Sequence, residues 1–126
     1  MTEERVERLL AEVHDDFGMI RVLEVADYRF LEFGDAIEQS CVFTADPSWL
    51  EYDYTRAMLF GALCHEQPES ALFLGLGAGT LTQACLKFLP LEDVEAIELR
   101  NVSNPALKRE RSDTAPLCPC KSAAVV

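Results

Sequence analysis

Ala71-Leu72-Phe73-Leu74-Gly75-Leu76-Gly77-Ala78-Gly79-Thr80 reads as a short apolar strand that breaks into alternating glycines and delivers a tight turn to a helix. Glycine at positions 75, 77 and 79 permits positive φ and lets a ligand approach the main chain where a Cβ would block it. Leu81-Thr82-Gln83-Ala84-Cys85-Leu86-Lys87-Phe88-Leu89 is helix-compatible up to Pro90, so the turn opens into a helix whose first N–H groups face whatever lies on the glycines. A second strand-like run, Val94-Glu95-Ala96-Ile97-Glu98-Leu99, follows. It places Glu98 about 20 residues past the glycines, where nucleoside-binding α/β domains carry an acid that accepts hydrogen bonds from ribose hydroxyls.

The glycine spacing narrows the ligand. A dinucleotide fingerprint needs Gly or Ala three positions after its second glycine, where Thr80 stands, and a P-loop needs Gly-Lys-Ser/Thr, which the chain lacks. The pattern fits S-adenosyl ligands, which have no pyrophosphate to cradle. A glycine turn required only for close helix-to-strand packing, with Glu98 a solvated strand end, explains the same residues, and the sequence leaves both readings open.

Upstream of this unit, Thr2 reads as the N-cap of a helix with Val6, Leu9, Leu10 and Val13 on one apolar stripe. From Met19 the period changes to two: Met19–Val25, then Tyr28–Phe33 after a turn at Ala26-Asp27, then Ile37, Gln39, Cys41 and Phe43 after Gly34-Asp35. Three antiparallel strands follow from that pattern. Asp46-Pro47 reads as an N-cap and first helical residue, opening a helix to about Cys64 with Leu50, Tyr54, Ala57, Met58, Gly61 and Cys64 along one face. From Asn101 the periodicity disappears, and a disordered tail is expected over residues 101–126. The domain reading is therefore a helix and meander over 1–46, the start of a nucleoside-binding domain over 47–100, and the tail.

With 126 residues and 49% hydrophobic content the chain has the means for one ordinary core. No apolar run is long enough for a membrane span, and Met1-Thr2-Glu3-Glu4-Arg5 lacks a basic, then apolar, leader, so a cytoplasmic chain is expected. Five cysteines, with Cys41, Cys64 and Cys85 inside apolar patterns, argue against a disulfide framework. Cys118-Pro119-Cys120 lacks a second ligand pair, since His14 and His65 fit no metal spacing, and no metal is expected. The net charge of −11 is uneven, −13 over residues 1–100 against +2 over residues 101–126. It repels nucleic-acid phosphates and anionic lipid and concentrates small cations, which suits a polyamine substrate, though solubility alone also explains it.

Gln39 on the third strand, Glu51-Tyr52-Asp53-Tyr54 with Met58, the Leu72–Thr80 loop and Val94-Glu95-Ala96-Ile97-Glu98 stand in an order that resembles the N-terminal half of the polyamine aminopropyltransferases, the spermidine synthase family. The resemblance runs from about Phe17 to Arg100. It implies an antiparallel β meander followed by the start of a Rossmann-like parallel sheet of the S-adenosylmethionine-methyltransferase type, truncated. It also implies aminopropyl transfer from decarboxylated S-adenosylmethionine, a co-substrate rather than a tightly bound cofactor, to a polyamine. By the same resemblance Gln39 contacts the donor, Gly75, Gly77 and Gly79 line its nucleoside, Glu98 holds the ribose and Tyr54 faces the polyamine.

The chain departs from that pattern in three places. Ala78 stands where the family has a loop Asp, and Thr55 and Arg56 follow Tyr54 where a glutamate is usual, Arg56 being placed to repel a cationic acceptor. The family's later aspartates, which bind the acceptor and act as base, have no counterpart but Asp113, so no catalytic residue is assigned. Residues 1–100 then read as the front of such an enzyme, with 101–126 in place of its back half. An S-adenosylmethionine-dependent methyltransferase and a non-catalytic oligomerising fragment, a possible homo-oligomer with an open sheet edge, are the alternatives.

Overall fold

The computed structural model describes residues 6–34, 37–100 and 123–125. Strands β1 (Glu7–Asp15), β2 (Gly18–Val25), β3 (Tyr28–Phe33) and β4 (Ile37–Phe43) form an antiparallel sheet in chain order. Strands β5 (Ser70–Leu74), β6 (Asp93–Ile97) and β7 (Ala123–Val125) form a parallel sheet, also in chain order. Helix α1 (Asp53–Leu63) lies between the sheets in the chain, and α2 (Thr80–Phe88) is the crossover from β5 to β6. An antiparallel meander thus precedes the opening βαβ unit of a Rossmann-like sheet.

The meander's apolar core is Ile20, Val22 and Leu31, with Leu10, Ala11, Val13 and Phe33 packed against it. Cross-strand register explains the set. Val13 and Phe33 flank Ile20 on its two sides, and Ala11 and Leu31 flank Val22. In the second unit Ala84 and Cys85 of α2, Leu89 just after it, and Val94 and Ala96 of β6 are all buried. Helix α2 ends as its sequence requires: Leu89 is extended at φ −111° and ψ 149°, because Pro90 excludes the helical conformation from the residue before it.

Four expectations are corrected. Residues 7–15 are strand β1, not a helix, which makes the meander four-stranded. The register with β2 slips between Leu9 and Ala11, a bulge at Leu10, so Leu10 and Ala11 turn inward in succession and Val13 follows two residues on. A strand carrying one bulge thereby imitates helical spacing. The Thr2 cap assigned to that helix lies outside the described residues.

The helix expected from Asp46 starts at Asp53 instead, with Tyr52 as N-cap. The Asp46 carboxylate accepts from Ser48 N–H at 3.1 Å and from the Ser48 hydroxyl at 2.5 Å, and Trp49 N–H donates to the Asp46 carbonyl at 2.9 Å. Aspartate here bonds its own downstream backbone in a turn, a conformation that competes with the cap it could have made. Lys87 of α2 locks the turn by donating to the Ser48 hydroxyl at 2.8 Å. The face expected to be apolar core on α1 is also open: Tyr54, Met58, Gly61 and Cys64 are exposed, and the helix buries only Thr55.

Of the tail expected to be without structure, Ala123–Val125 is a short strand beside β6. Residues 101–122 and 126, with Asp113, Cys118 and Cys120, lie outside the described residues. Among the described residues no helix is long and apolar enough to cross a membrane.

Candidate functional site

Strand β5 delivers the glycine loop to the carboxyl end of the parallel sheet, where open α/β sheets bind their ligands. Gly75, Gly77 and Gly79 take φ of 84°, 55° and 78°, a left-handed conformation at every second residue that side chains resist. Gly75 N–H continues the β5–β6 pairing onto the Ile97 carbonyl at 2.7 Å, and Gly79 N–H closes the loop onto the Leu76 carbonyl at 2.9 Å. Gly79 is also the N-cap of α2, with no side chain to cap the first turn.

Glu98 stands one residue past β6 and turns toward this loop. Its Oε2 accepts from Leu76 N–H at 2.7 Å and Gly77 N–H at 3.2 Å, and its Oε1 accepts from Arg100 N–H at 3.0 Å. Burial pushes the carboxyl up, but the backbone N–H groups of Arg100, Leu76, Gly77 and Leu99 outweigh it and hold the group below the usual glutamate range. An ionised carboxylate has about four acceptor positions, so a ligand hydroxyl competes with these N–H groups for Glu98.

That depressed pKa carries a stability consequence with a definite sign. Glu98 contributes fully above its unfolded-state value, and the contribution is lost as pH falls through the lower folded-state value. Unfolding free energy is expected to decline as pH drops below about 4.5, and the decline should be shallower in Glu98→Gln. Urea midpoints at neutral pH and near pH 4 test this, and equal slopes for the two proteins would contradict it.

The opposite wall comes from the meander. Register between β3 and β4 slips from Leu31 opposite Ser40 to Glu32 opposite Glu38, which leaves Gln39 as a bulge. A bulge re-aims side chains, and here Gln39, Ser40 and Cys41 all reach the same cleft. The Ser40 hydroxyl accepts from Ala78 N–H at 3.1 Å and lies so close to Gly77 that a Cβ there would overlap it. Ser40 thus joins the two sheets at the turn of the loop. The extended segment that replaces the first turns of the expected helix adds Leu50, Glu51 and Tyr52, and α1 adds Tyr54 and Met58.

The resulting cleft encloses about 330 Å³. Gln39, Tyr54, Gly75, Gly77 and Glu98 line it together, whereas Gly79 stays off its wall and serves the turn into α2. Tyr54 is not a core residue, being 58% exposed and stacked on Tyr52 with ring centroids 5.7 Å apart. Ser40, Glu51 and Tyr52 were not singled out as site residues by the sequence. The bulge hides Ser40, and the Asp46-Pro47 signal assigned 51 and 52 to a helix interior.

The electrostatics of the cleft are one-sided. Its lining holds the carboxylates of Glu51 and Glu98 and, among the described residues, no Lys, Arg or His. Glu51 is fixed by Trp49 Nε1–H at 2.8 Å and the Tyr28 hydroxyl at 3.2 Å, both donating to one oxygen. Arg56, expected to repel a cationic ligand, is folded elsewhere: its Nε–H donates to the Leu50 carbonyl at 2.6 Å and its guanidinium lies 5.2 Å from the Trp49 ring centroid. Burial, with Glu38 and Glu51 nearby, pushes the Cys41 thiol up to about 11, so it stays protonated and unreactive at neutral pH.

No protein-family model matches the chain, and no curated protein matches it. Its fold is shared with solved spermidine synthases. One, in complex with the transition state analogue AdoDATO, superposes with a TM-score of 0.68 at 20% identity over 94% of this chain and 40% of its own. The spermidine synthase of Thermotoga maritima gives the same TM-score and identity over 94% of this chain and 39% of its own. The chain thus spans about 40% of the length of these structures and has the fold of that part.

Proposed function

We propose that the cleft binds a cationic adenosyl sulfur compound of the decarboxylated S-adenosylmethionine class, and that the chain is the front part of an aminopropyltransferase acting on a polyamine. The observation that carries this reading is the pairing of a nucleoside-type glycine loop and acid with a lining of two carboxylates and no cation among the described residues. A sulfonium or ammonium gains from such a wall, and the pyrophosphate of a dinucleotide is repelled by it. In this reading Gly75 and Gly77 admit the adenosine against the main chain, with Gly79 shaping their turn. Glu98 takes a ribose hydroxyl, Gln39 contacts the donor, and the Tyr52–Tyr54 stack offers ring faces to the charged tail. The fold shared with a synthase solved with AdoDATO supports this reading.

The reaction class makes modest demands. A sulfonium activates the adjacent carbon by itself, so the protein must align the amine and take its proton. Among the described cleft residues Glu51 and Glu98 are the only carboxylates, and Glu98 is engaged by the loop. The proposal for this chain is therefore donor binding, with the proton acceptor unassigned.

Thermal unfolding with methylthioadenosine, decarboxylated S-adenosylmethionine or NAD tests it. The first two should stabilise the chain, by about 2.7 kcal/mol at a hundredfold excess over Kd, and NAD should not. Equal stabilisation by NAD would overturn the assignment. A second reading, an oligomerising chain, is favoured by β5, which lies at the edge of its sheet with Leu72 57% and Leu74 79% exposed. That reading expects no response to any of the three compounds and a mass by light scattering that rises with concentration.

A further inference from the structure

We propose that Arg100 is a positioning residue for the cleft: clamped to the β1–β2 turn through its side chain, it holds its own backbone N–H on Glu98 and so fixes that carboxylate under the glycine loop. Glu98 and Arg100 lie beyond Ile97, the last residue of β6, where among the described residues no strand pairing orders them. The order comes from the Arg100 side chain. Its Nε–H donates to Asp15 Oδ2 at 2.8 Å and its Nη2 to Asp15 Oδ1 at 2.5 Å, a two-point grip, and Nη2 also donates to the Gly18 carbonyl at 3.1 Å.

The grip is itself held in place. Phe17 N–H donates to Asp15 Oδ1 at 2.9 Å, and the guanidinium lies 4.3 Å from the ring centroid of Phe33, a cleft residue, and 5.9 Å from that of Phe17. Only 10% of the Arg100 side chain is exposed. A planar guanidinium gripped along its Nε–Nη2 edge with a face on an aromatic ring has little freedom, and lysine cannot reproduce that geometry. With the side chain fixed, the Arg100 N–H is presented to Glu98 Oε1, which leaves Oε2 aimed at the loop N–H groups of Leu76 and Gly77. The first hairpin of the meander thereby controls a carboxylate that belongs to the other sheet.

This inference rests on the nucleoside reading for its effect on affinity, and on geometry alone for its effect on the loop. The test compares the full chain with R100M, R100K and D15N. It measures amide hydrogen exchange at Leu76, Gly77 and the core positions Val22 and Leu31, and titrates methylthioadenosine. R100M and D15N should speed exchange at Leu76 and Gly77 by about tenfold or more without a matching change at Val22 and Leu31, as local opening does. Binding should weaken about tenfold, with R100K in between. Exchange at the loop that is unchanged, or that rises only in step with the core amides, would overturn the proposal. Should the unaltered chain not bind methylthioadenosine, the nucleoside reading fails by itself and the exchange measurement still decides the role of Arg100. D15N removes the same clamp from the other side, so a failure of R100M to fold leaves the test intact.

Discussion

Glu98→Ala is expected to lower the unfolding free energy by about 2 kcal/mol and to remove the stabilisation conferred by methylthioadenosine. Three N–H groups lose one acceptor in this substitution, those of Leu76, Gly77 and Arg100. Hydrogen bonds to a charged group contribute about 1.5–3 kcal/mol each when the donor is left buried, but water reaches this cleft and replaces part of each bond, which brings the sum down to about 2. Binding suffers for a separate reason. The loop donors lose the partner that holds the left-handed turn in place, and the ligand hydroxyl loses its acceptor. Chemical denaturation of the two proteins, followed by the same thermal comparison with ligand, measures both effects. A stability change within about 0.5 kcal/mol, the range of an ordinary surface substitution, would show that the carboxylate does not organise the loop.

The parts of this fold that were legible in the sequence are those in which one residue type has one use. Glycines at 75, 77 and 79 fix the left-handed turn because no other residue takes that conformation cheaply, and Pro90 fixes the end of α2 because it forbids helix at Leu89. Strands β2, β3, β5 and β6 alternate or run apolar without interruption, so their period was readable. The failures share a cause as well. A bulge adds a residue without marking it, so Leu10 turned a strand into an apparent helix, and Gln39 hid the inward turn of Ser40. Aspartate before proline has two outlets, a helix cap and a turn onto Ser48, and local sequence does not choose between them; contact with Lys87, distant in sequence, does.

The same separation between local and long-range information runs through the site. Glu98 and the glycines belong to one contiguous βαβ unit, and their spacing alone placed them together. The Glu51 carboxylate, the withdrawal of Arg56 from the cleft and the Asp15–Arg100 clamp depend on how the meander is set against that unit. Such contacts leave no period in the sequence, because each is a single pairing between distant residues.

Gly77→Ala is expected to lower stability by about 2–3 kcal/mol, in two parts that a second substitution can separate. The first part is backbone: φ of 55° at Gly77 costs an L-residue about 1 kcal/mol. The second part is steric, since the new Cβ would overlap Ser40 Oγ. Ser40 can relieve the overlap by rotating, but rotation breaks its bond from Ala78 N–H and leaves that loop donor without its partner, at a further cost of about 1–2 kcal/mol. Ser40→Ala removes the obstructing oxygen and keeps a Cβ that lies 3.6 Å from where the added methyl would sit, an ordinary contact. In that background Gly77→Ala should cost only the backbone part, so the double-mutant cycle should show a favourable coupling of about 1 kcal/mol or more. Additive effects would mean that Ser40 does not press on the loop.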